Sequence, residues 1–263
     1  MNHNRTVLQL IEPIPRENRK DHLYSLRQFL ASTTKDLDAR FEILEVDNTG
    51  RVTLEIQGED CTVFSSILES TFGIVPRDSD DLTGRIFKGF VAKIDSEREE
   101  LLIDIDTKRR CVLGSASLVS IFGKGKFEKL TQLLGLNISM PLEVSVTIAT
   151  EDTAHLSLSN SQIDRYRNWT RDFLNRIIVL DCTRKQAKNA LAATENLRNI
   201  VDIERLGFYC QLIICKFGVD KEEITAELAR FHKHCRISLF SPIDIIVSLD
   251  LPSKKLLSRL KAF

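Results

Sequence analysis

The densest concentration of binding chemistry in this chain lies between Lys108 and Lys129. Lys108, Arg109, Arg110, Lys124, Lys126 and Lys129 stand there against one acid, Glu128. Phe122 and Phe127 bracket Gly123-Lys124-Gly125-Lys126. Glycine lets backbone N–H groups approach a phosphate, lysine neutralises its charge, and an aromatic ring gives a base a face to stack on. The same residues also suit a solvated loop whose two phenylalanines turn into a core. The Gly-Lys-Gly-Lys run is not a nucleotide-binding P-loop, because no Gly-Lys-Ser/Thr closes it.

Other candidates are spread along the chain. Lys88 and Phe90 share one face of a strand by the two-residue period, and are expected to face a ligand. A helix entered through Thr183 carries Arg184, Lys185 and Lys188 in its first turns. Cations there oppose the helix dipole at about 0.3–1 kcal/mol each. A bound phosphate would reverse that cost; screening by Asp181 is the plainer alternative.

Asp104 and Asp106 share a strand face, where they can hold Mg²⁺ or act as a carboxylate pair in a metal-dependent nuclease or phosphotransferase. The solvent face of a half-buried strand is the plainer account of them. His232, His234 and Cys235 lie close together, with Cys210 and Cys215 upstream. Zinc ligands usually come in pairs two to four residues apart. Cys210 and Cys215 are five apart, which on a strand points them to opposite faces. No histidine falls in a triad motif. The chain therefore reads as a binding protein rather than an enzyme, with no catalytic residue, metal or cofactor expected.

The elements that must position these residues follow from periodicity. The expected fold class is α+β: a central five-strand OB-type β-barrel flanked by two small β-α-β-β-α domains. In the N-terminal domain, residues 1–75, strands fall at 6–11, 40–46 and 51–56, and helices at 20–37 and 62–72. Asp47-Asn48-Thr49-Gly50 signals the hairpin. A polar run at 76–81 marks a boundary. In residues 82–162, strands at 84–94, 101–106 and 111–113 precede a helix at 126–134 and strands at 142–148 and 155–158. Three strands, a short helix and two strands is the OB order. A connecting helix spans 161–174. The C-terminal domain, 175–250, repeats the first pattern. It has strands at 176–180, 200–205, 209–217, 236–240 and 243–249, and helices at 183–197 and 221–231. A basic amphipathic tail occupies 251–263.

The 37 basic and 37 acidic residues cancel, which argues against indiscriminate coating of nucleic acid. The cancellation is uneven: residues 171–263 hold 16 basic and 11 acidic side chains, so a basic face can hide in a neutral sum. No apolar run approaches the ~20 residues needed to cross a bilayer. The first residues lack the pattern of a signal peptide. Six scattered cysteines form no disulfide framework. These features predict a cytoplasmic, reduced protein without a membrane partner.

Leu82-Thr83-Gly84-Arg85-Ile86, followed by Gly89-Phe90-Val91, resembles the opening strand of the S-one type of RNA-binding OB domain, named for a ribosomal protein. Leu142-Glu143-Val144-Ser145-Val146 and His155-Leu156-Ser157-Leu158-Ser159 resemble its closing pair. The sequence departs from that family at Arg110-Cys111-Val112-Leu113-Gly114-Ser115, where a second Gly-Phe-Val-His-type stretch is usual. Through residues 84–106 and 176–218 the chain is also similar to an archaeal family known only as a domain of unknown function. The first resemblance implies single-stranded RNA held on the barrel; the second implies an archaeal cytoplasm. The combined expectation is an RNA-binding accessory protein, near the ribosome or in RNA processing. Lys88, Phe90, Lys108, Arg109, Arg110, Lys124, Lys126 and Phe127 would form its surface, with Arg184, Lys185 and Lys188 adding phosphate contacts. The alternative is a protein–protein adaptor in an RNA or transcription assembly, using sheet edges and the barrel wall.

Overall fold

Alternating apolar residues and one aspartate-centred turn build the first layer. The computed structural model describes residues 5–76, 81–105, 108–231 and 233–252. Its first elements are β1 (Arg5–Gln9), α1 (Arg19–Thr33), β2 (Arg40–Val46), β3 (Val52–Gln57) and α2 (Cys61–Phe72), the expected β-α-β-β-α order. The Asp47 carboxylate accepts hydrogen bonds from the N–H groups of Thr49 (2.8 Å) and Arg51 (3.0 Å), which fixes the β2–β3 hairpin. The sheet order is β1-β3-β2, antiparallel throughout. Val52, Leu54 and Ile56 of β3 pack with Leu26 and Leu30 of α1 and with Phe64, Leu68 and Phe72 of α2. These helical positions recur at four-residue steps, so each helix presents one apolar stripe to the sheet.

The second unit comprises β4 (Ile86–Asp95), β5 (Glu100–Asp104), β6 (Arg110–Gly114), α3 (Ser115–Phe122), α4 (Phe127–Leu133), β7 (Pro141–Ala149) and β8 (Thr153–Leu158). The strands close into a barrel in the order β4-β5-β6-β8-β7, with β6 parallel to β8 and every other pairing antiparallel. This is the OB arrangement. The long β4 pairs with β7 through its first half and with β5 through its second, curving from one neighbour to the other. Val91, Leu101, Ile103, Leu113, Val144 and Val146 fill the interior.

Two helices, not one, separate the third and fourth strands. The run 115–122, expected as loop, is α3, held by buried Leu118 and Ile121 and ended at Gly123 (φ 75°), whose N–H reaches Val119 O at 2.7 Å. Its serines carry little helix propensity, so burial decides its conformation.

α5 (Asn160–Asp172) starts at Ser159, whose side chain accepts from Gln162 N at 3.1 Å. β9 (Arg176–Leu180), α6 (Arg184–Ala193), β10 (Ile200–Gly207), β11 (Cys210–Cys215), α7 (Lys221–Phe231), β12 (Arg236–Phe240) and α8 (Pro242–Ser248) follow. The sheet order is β10-β11-β9-β12, all antiparallel. The expected strand at 243–249 is instead α8. Ser241 caps it by accepting from Asp244 N, and Pro242 opens it, a helix-start signal that the β-branched residues after it obscured.

Every residue of β11 is buried, because the sheet is covered on both faces. Cys210, Leu212 and Ile214 join the barrel's core, while Ile213 and Cys215 pack with the helices on the other side. The barrel core thus continues through Tyr166 and Trp169 of α5 into Ile178, Leu180 and Phe240. Phe208 and Tyr209, from the β10–β11 turn, join the N-terminal core. The three predicted units are knit together by shared cores rather than strung on linkers. Among the described residues, no helix is long and apolar enough to cross a membrane. Part of the polar boundary (77–80) and nearly all of the basic tail (253–263) lie outside the described residues.

Candidate nucleic-acid interface

Lys88 and Phe90 point out of the barrel, as their shared parity requires, but that side of β4 is not open. The Lys88 ammonium donates to Thr71 O (2.6 Å) and Ser70 O (3.2 Å), the last carbonyls of α2. A cation there satisfies acceptors that the helix leaves unpaired and complements its dipole. Burial lowers the Lys88 pKa from the ordinary lysine value, while the nearby Glu12 carboxylate opposes that shift. Phe90 is 3% exposed and lines a cavity of about 380 Å³ with Pro13, Ile14 and Tyr209. The N-terminal layer has taken the strand face that a ligand was expected to use.

The basic stretch 108–129 divides. Lys108 is exposed and Arg109 half-buried in the approach to β6. Arg110 opens that strand, donating its N–H to Asp152 O (2.8 Å) while its guanidinium pairs with Glu100. Lys124 and Lys126 come after the other end of β6, about 13 Å of strand away at ~3.3 Å per residue, in the α3–α4 connection. Lys124 donates to Asp250 O at 2.7 Å, just beyond α8, and Lys126 is exposed before α4. Phe127 is 1% exposed in the barrel core, and Phe122 packs against the same core. Arg110 and Lys124 are thus engaged within the fold, and the phenylalanines serve the core.

The outer face of β5 is likewise engaged. Asp104 pairs with the buried Arg51 at the start of β3, which ties the N-terminal sheet to the barrel. Its proposed partner Asp106 lies outside the described residues, as does His232. Among the described residues no group of three or more His, Cys, Asp and Glu side chains is placed to hold a metal. Cys210 and Cys215 face two different cores, as their five-residue spacing implied.

The third expected group does converge with others. Arg184 and Lys185 are exposed on the first turn of α6. Its capping box is complete: Thr183 accepts from Gln186 N, and the Gln186 side chain accepts from Thr183 N at 2.8 Å. Arg184 and Lys185 line a groove of about 340 Å³ against α1, together with Arg205, Tyr24, Phe29 and Phe208. Among the described residues, no carboxylate lines it. The Arg205 guanidinium lies 5.3 Å from the ring centres of both Phe29 and Phe208, which are 5.1 Å from each other. Cation–π attraction holds that charge on an aromatic platform. Tyr24 is 64% exposed. Lys188 is exposed one turn beyond Arg184, and Arg184 makes a long ion pair (3.7 Å) with Asp202 of β10.

Residues 174–231 match the DUF2110 C-terminal domain, a family of unknown function. No curated protein matches the chain. The DUF2110 segment contributes Arg184, Lys185, Arg205 and Phe208 to the groove. Tyr24 and Phe29 come from α1, outside the match. The groove is therefore composite: the DUF2110 stretch brings its cations, and the N-terminal helix brings two of its three aromatic rings. Sequence reading missed Arg205, Phe208, Tyr24 and Phe29, which stand apart from Arg184 in the chain. The one available signal was Tyr24, an aromatic beside the Leu23, Leu26 and Leu30 stripe of a predicted helix rather than on it.

Proposed function

We propose that this protein binds single-stranded RNA in the groove between α1 and α6, with the barrel as the frame that holds the two walls together. The observation that carries the reading is the groove's lining: three cations and three aromatic rings, with no acid among the described residues that line it. Phosphates would meet Arg184, Lys185 and the positive end of α6. A base would stack on Tyr24, and Arg205 would complete the basic wall from its phenylalanine platform. Zero net charge fits a local patch rather than a general polyanion binder. The role is that of a cytoplasmic accessory protein which holds a short strand and performs no chemistry on it.

The test is binding of short fluorescent single-stranded RNAs across a salt series. Each phosphate neutralised in a single strand contributes about −0.7 to the log–log slope. Replacing Arg184 and Lys185 together by Ala should flatten the slope by about 1.4 on the same scale. Replacing Lys124 and Lys126 by Ala should leave it unchanged. The reverse pattern would move the interface to the barrel. No binding at low salt would sink the RNA reading and favour the protein–protein adaptor.

A further inference from the structure

We infer that Cys182 and Cys235 form a reversible dithiol–disulfide site that reacts with small-molecule disulfides of the glutathione type, Cys235 attacking and Cys182 resolving. The sheet brings the two together. Leu180 of β9 pairs with Arg236 of β12, so the residues just outside that pair, Asp181-Cys182 and Cys235, meet at the end of the ladder. Both side chains belong to one apolar cluster, Cys182 buried within it and Cys235 packed against it. Cys182 Sγ also lies 3.4 Å from Thr183 O, and Cys235 Sγ 3.7 Å from Asp181 O, so both sulfurs sit against the same short turn. Arg236 fastens that turn by donating twice to the Asp181 carboxylate (2.7 and 3.1 Å).

Exposure separates the two roles. Cys61, Cys111, Cys182, Cys210 and Cys215 are all buried, and Cys235 alone of the six is partly exposed. The neighbouring Cys182 thiol holds the Cys235 thiol below the ordinary cysteine value, against the opposing effects of burial and Asp181. The same contact, together with burial, pushes Cys182 up, so it keeps its proton. The thiolate is the nucleophile, and an accessible sulfur beside a protonated partner is the one to react first.

The chemistry balances with glutathione disulfide as oxidant. The Cys235 thiolate attacks one of its sulfurs, the glutathione S–S bond breaks, and one glutathione thiolate leaves. Cys182 gives its proton to that thiolate and attacks the Cys235 sulfur of the mixed disulfide. The Cys182–Cys235 bond forms and the second glutathione departs. Two electrons pass from the protein to the small disulfide, and excess reduced glutathione reverses both steps. The new bond would lie directly before Thr183, the cap of the helix that carries Arg184 and Lys185.

The experiment uses the folded full chain in glutathione buffers of graded redox poise, followed by alkylation, digestion and mass spectrometry. The expected product is a peptide pair linked through Cys182 and Cys235, with two thiols lost and regained on reduction. Cys182→Ser should stop at a glutathione adduct on Cys235. Cys235→Ser should protect Cys182 from modification while the protein stays folded by circular dichroism. Absence of the linked pair from folded wild-type protein overturns the proposal, whatever the variants do. Modification that begins at Cys182 in Cys235→Ser overturns the order of attack. Both readouts are masses and do not depend on RNA binding, so this inference and the groove reading fail separately.

Discussion

The Glu12 carboxylate accepts hydrogen bonds from the backbone N–H groups of Phe208 (2.8 Å) and Tyr209 (2.7 Å), and so joins the N-terminal layer to the β10–β11 turn. Gly207 makes the approach possible: a Cβ at that position would lie 2.7 Å from Glu12 Oε1. The Tyr209 hydroxyl donates to His22 O at 3.0 Å, adding a second tie from the same turn to α1. Phe29, Phe72 and Phe208 close around the junction with ring centres 5.1–5.6 Å apart. This clamp places Phe208 and Arg205 against α1, and so builds the groove.

Removing the clamp should destabilise the fold and give its stability a pH signature. Glu12→Ala leaves two buried N–H donors unmet, at about 1–3 kcal/mol each. Burial raises the Glu12 pKa from its ordinary 4.5, with Lys88, the two N–H groups and Arg205 opposing. The folded chain therefore holds this proton more tightly than the unfolded one. The stability gained from the neutral acid is full below pH 4.5 and is lost as pH rises through the raised value. Urea midpoints measured over a pH series should show that decline in wild type and a flatter profile in Glu12→Gln. Parallel profiles would remove Glu12 as its source.

Lys88→Met separates a capping role from a ligand role. The substitution keeps the apolar stem and removes the charge that caps Ser70 O and Thr71 O. Hydrogen bonds to charged groups contribute about 1.5–3 kcal/mol. Amide exchange at the end of α2 should quicken and the urea midpoint fall, with RNA affinity unchanged. Lost affinity at an unchanged midpoint would return Lys88 to the binding surface.

The barrel was legible because strands such as β5 and β8 alternate and polar turns fall between the strands. Gly89 belonged to that pattern, though the space it leaves is steric rather than conformational. The helices α3 and α8 were not legible, since a serine-rich run and a β-branched run carry weak local preference and are settled by burial. The groove was still less visible: Tyr24 and Phe29 meet Arg184 and Arg205 only after the whole barrel has been inserted between them. Conversely, Lys124 looked free for a ligand in the sequence, whereas its ammonium is taken by the distant Asp250 carbonyl. Distance along the chain is a poor guide to a surface assembled from three units.

The steric reading of Gly89 is testable. A Cβ there would lie 2.4 Å from Ile105 Cγ2 and 2.5 Å from Ile103 Cγ2, inside a filled barrel. Overpacking of this kind costs about 1–3 kcal/mol, so Gly89→Ala should lower the thermal midpoint. Gly114 is the control, because an added Cβ meets nothing within 4 Å and its φ of −76° suits any residue. Gly114→Ala should be neutral, or stabilising by about 0.4–1 kcal/mol through the unfolded chain. Equal losses at both positions would contradict the reading.

Stacking and charge should separate at the groove itself. Tyr24 offers a ring without a charge, so Tyr24→Ala should weaken RNA binding by about 1–3 kcal/mol, the usual contribution of one stacked base. The salt slope should not change, because no counterion is released on Tyr24's account. Tyr24→Phe should retain the affinity, as the ring face and not the hydroxyl makes the contact. Arg184→Ala should do the opposite, flattening the slope by about 0.7, the share of one phosphate. Fluorescence titrations at four or more salt concentrations distinguish the two behaviours. If Tyr24→Ala altered the slope, or left affinity untouched, Tyr24 would be no stacking platform, and its exposure would need another partner.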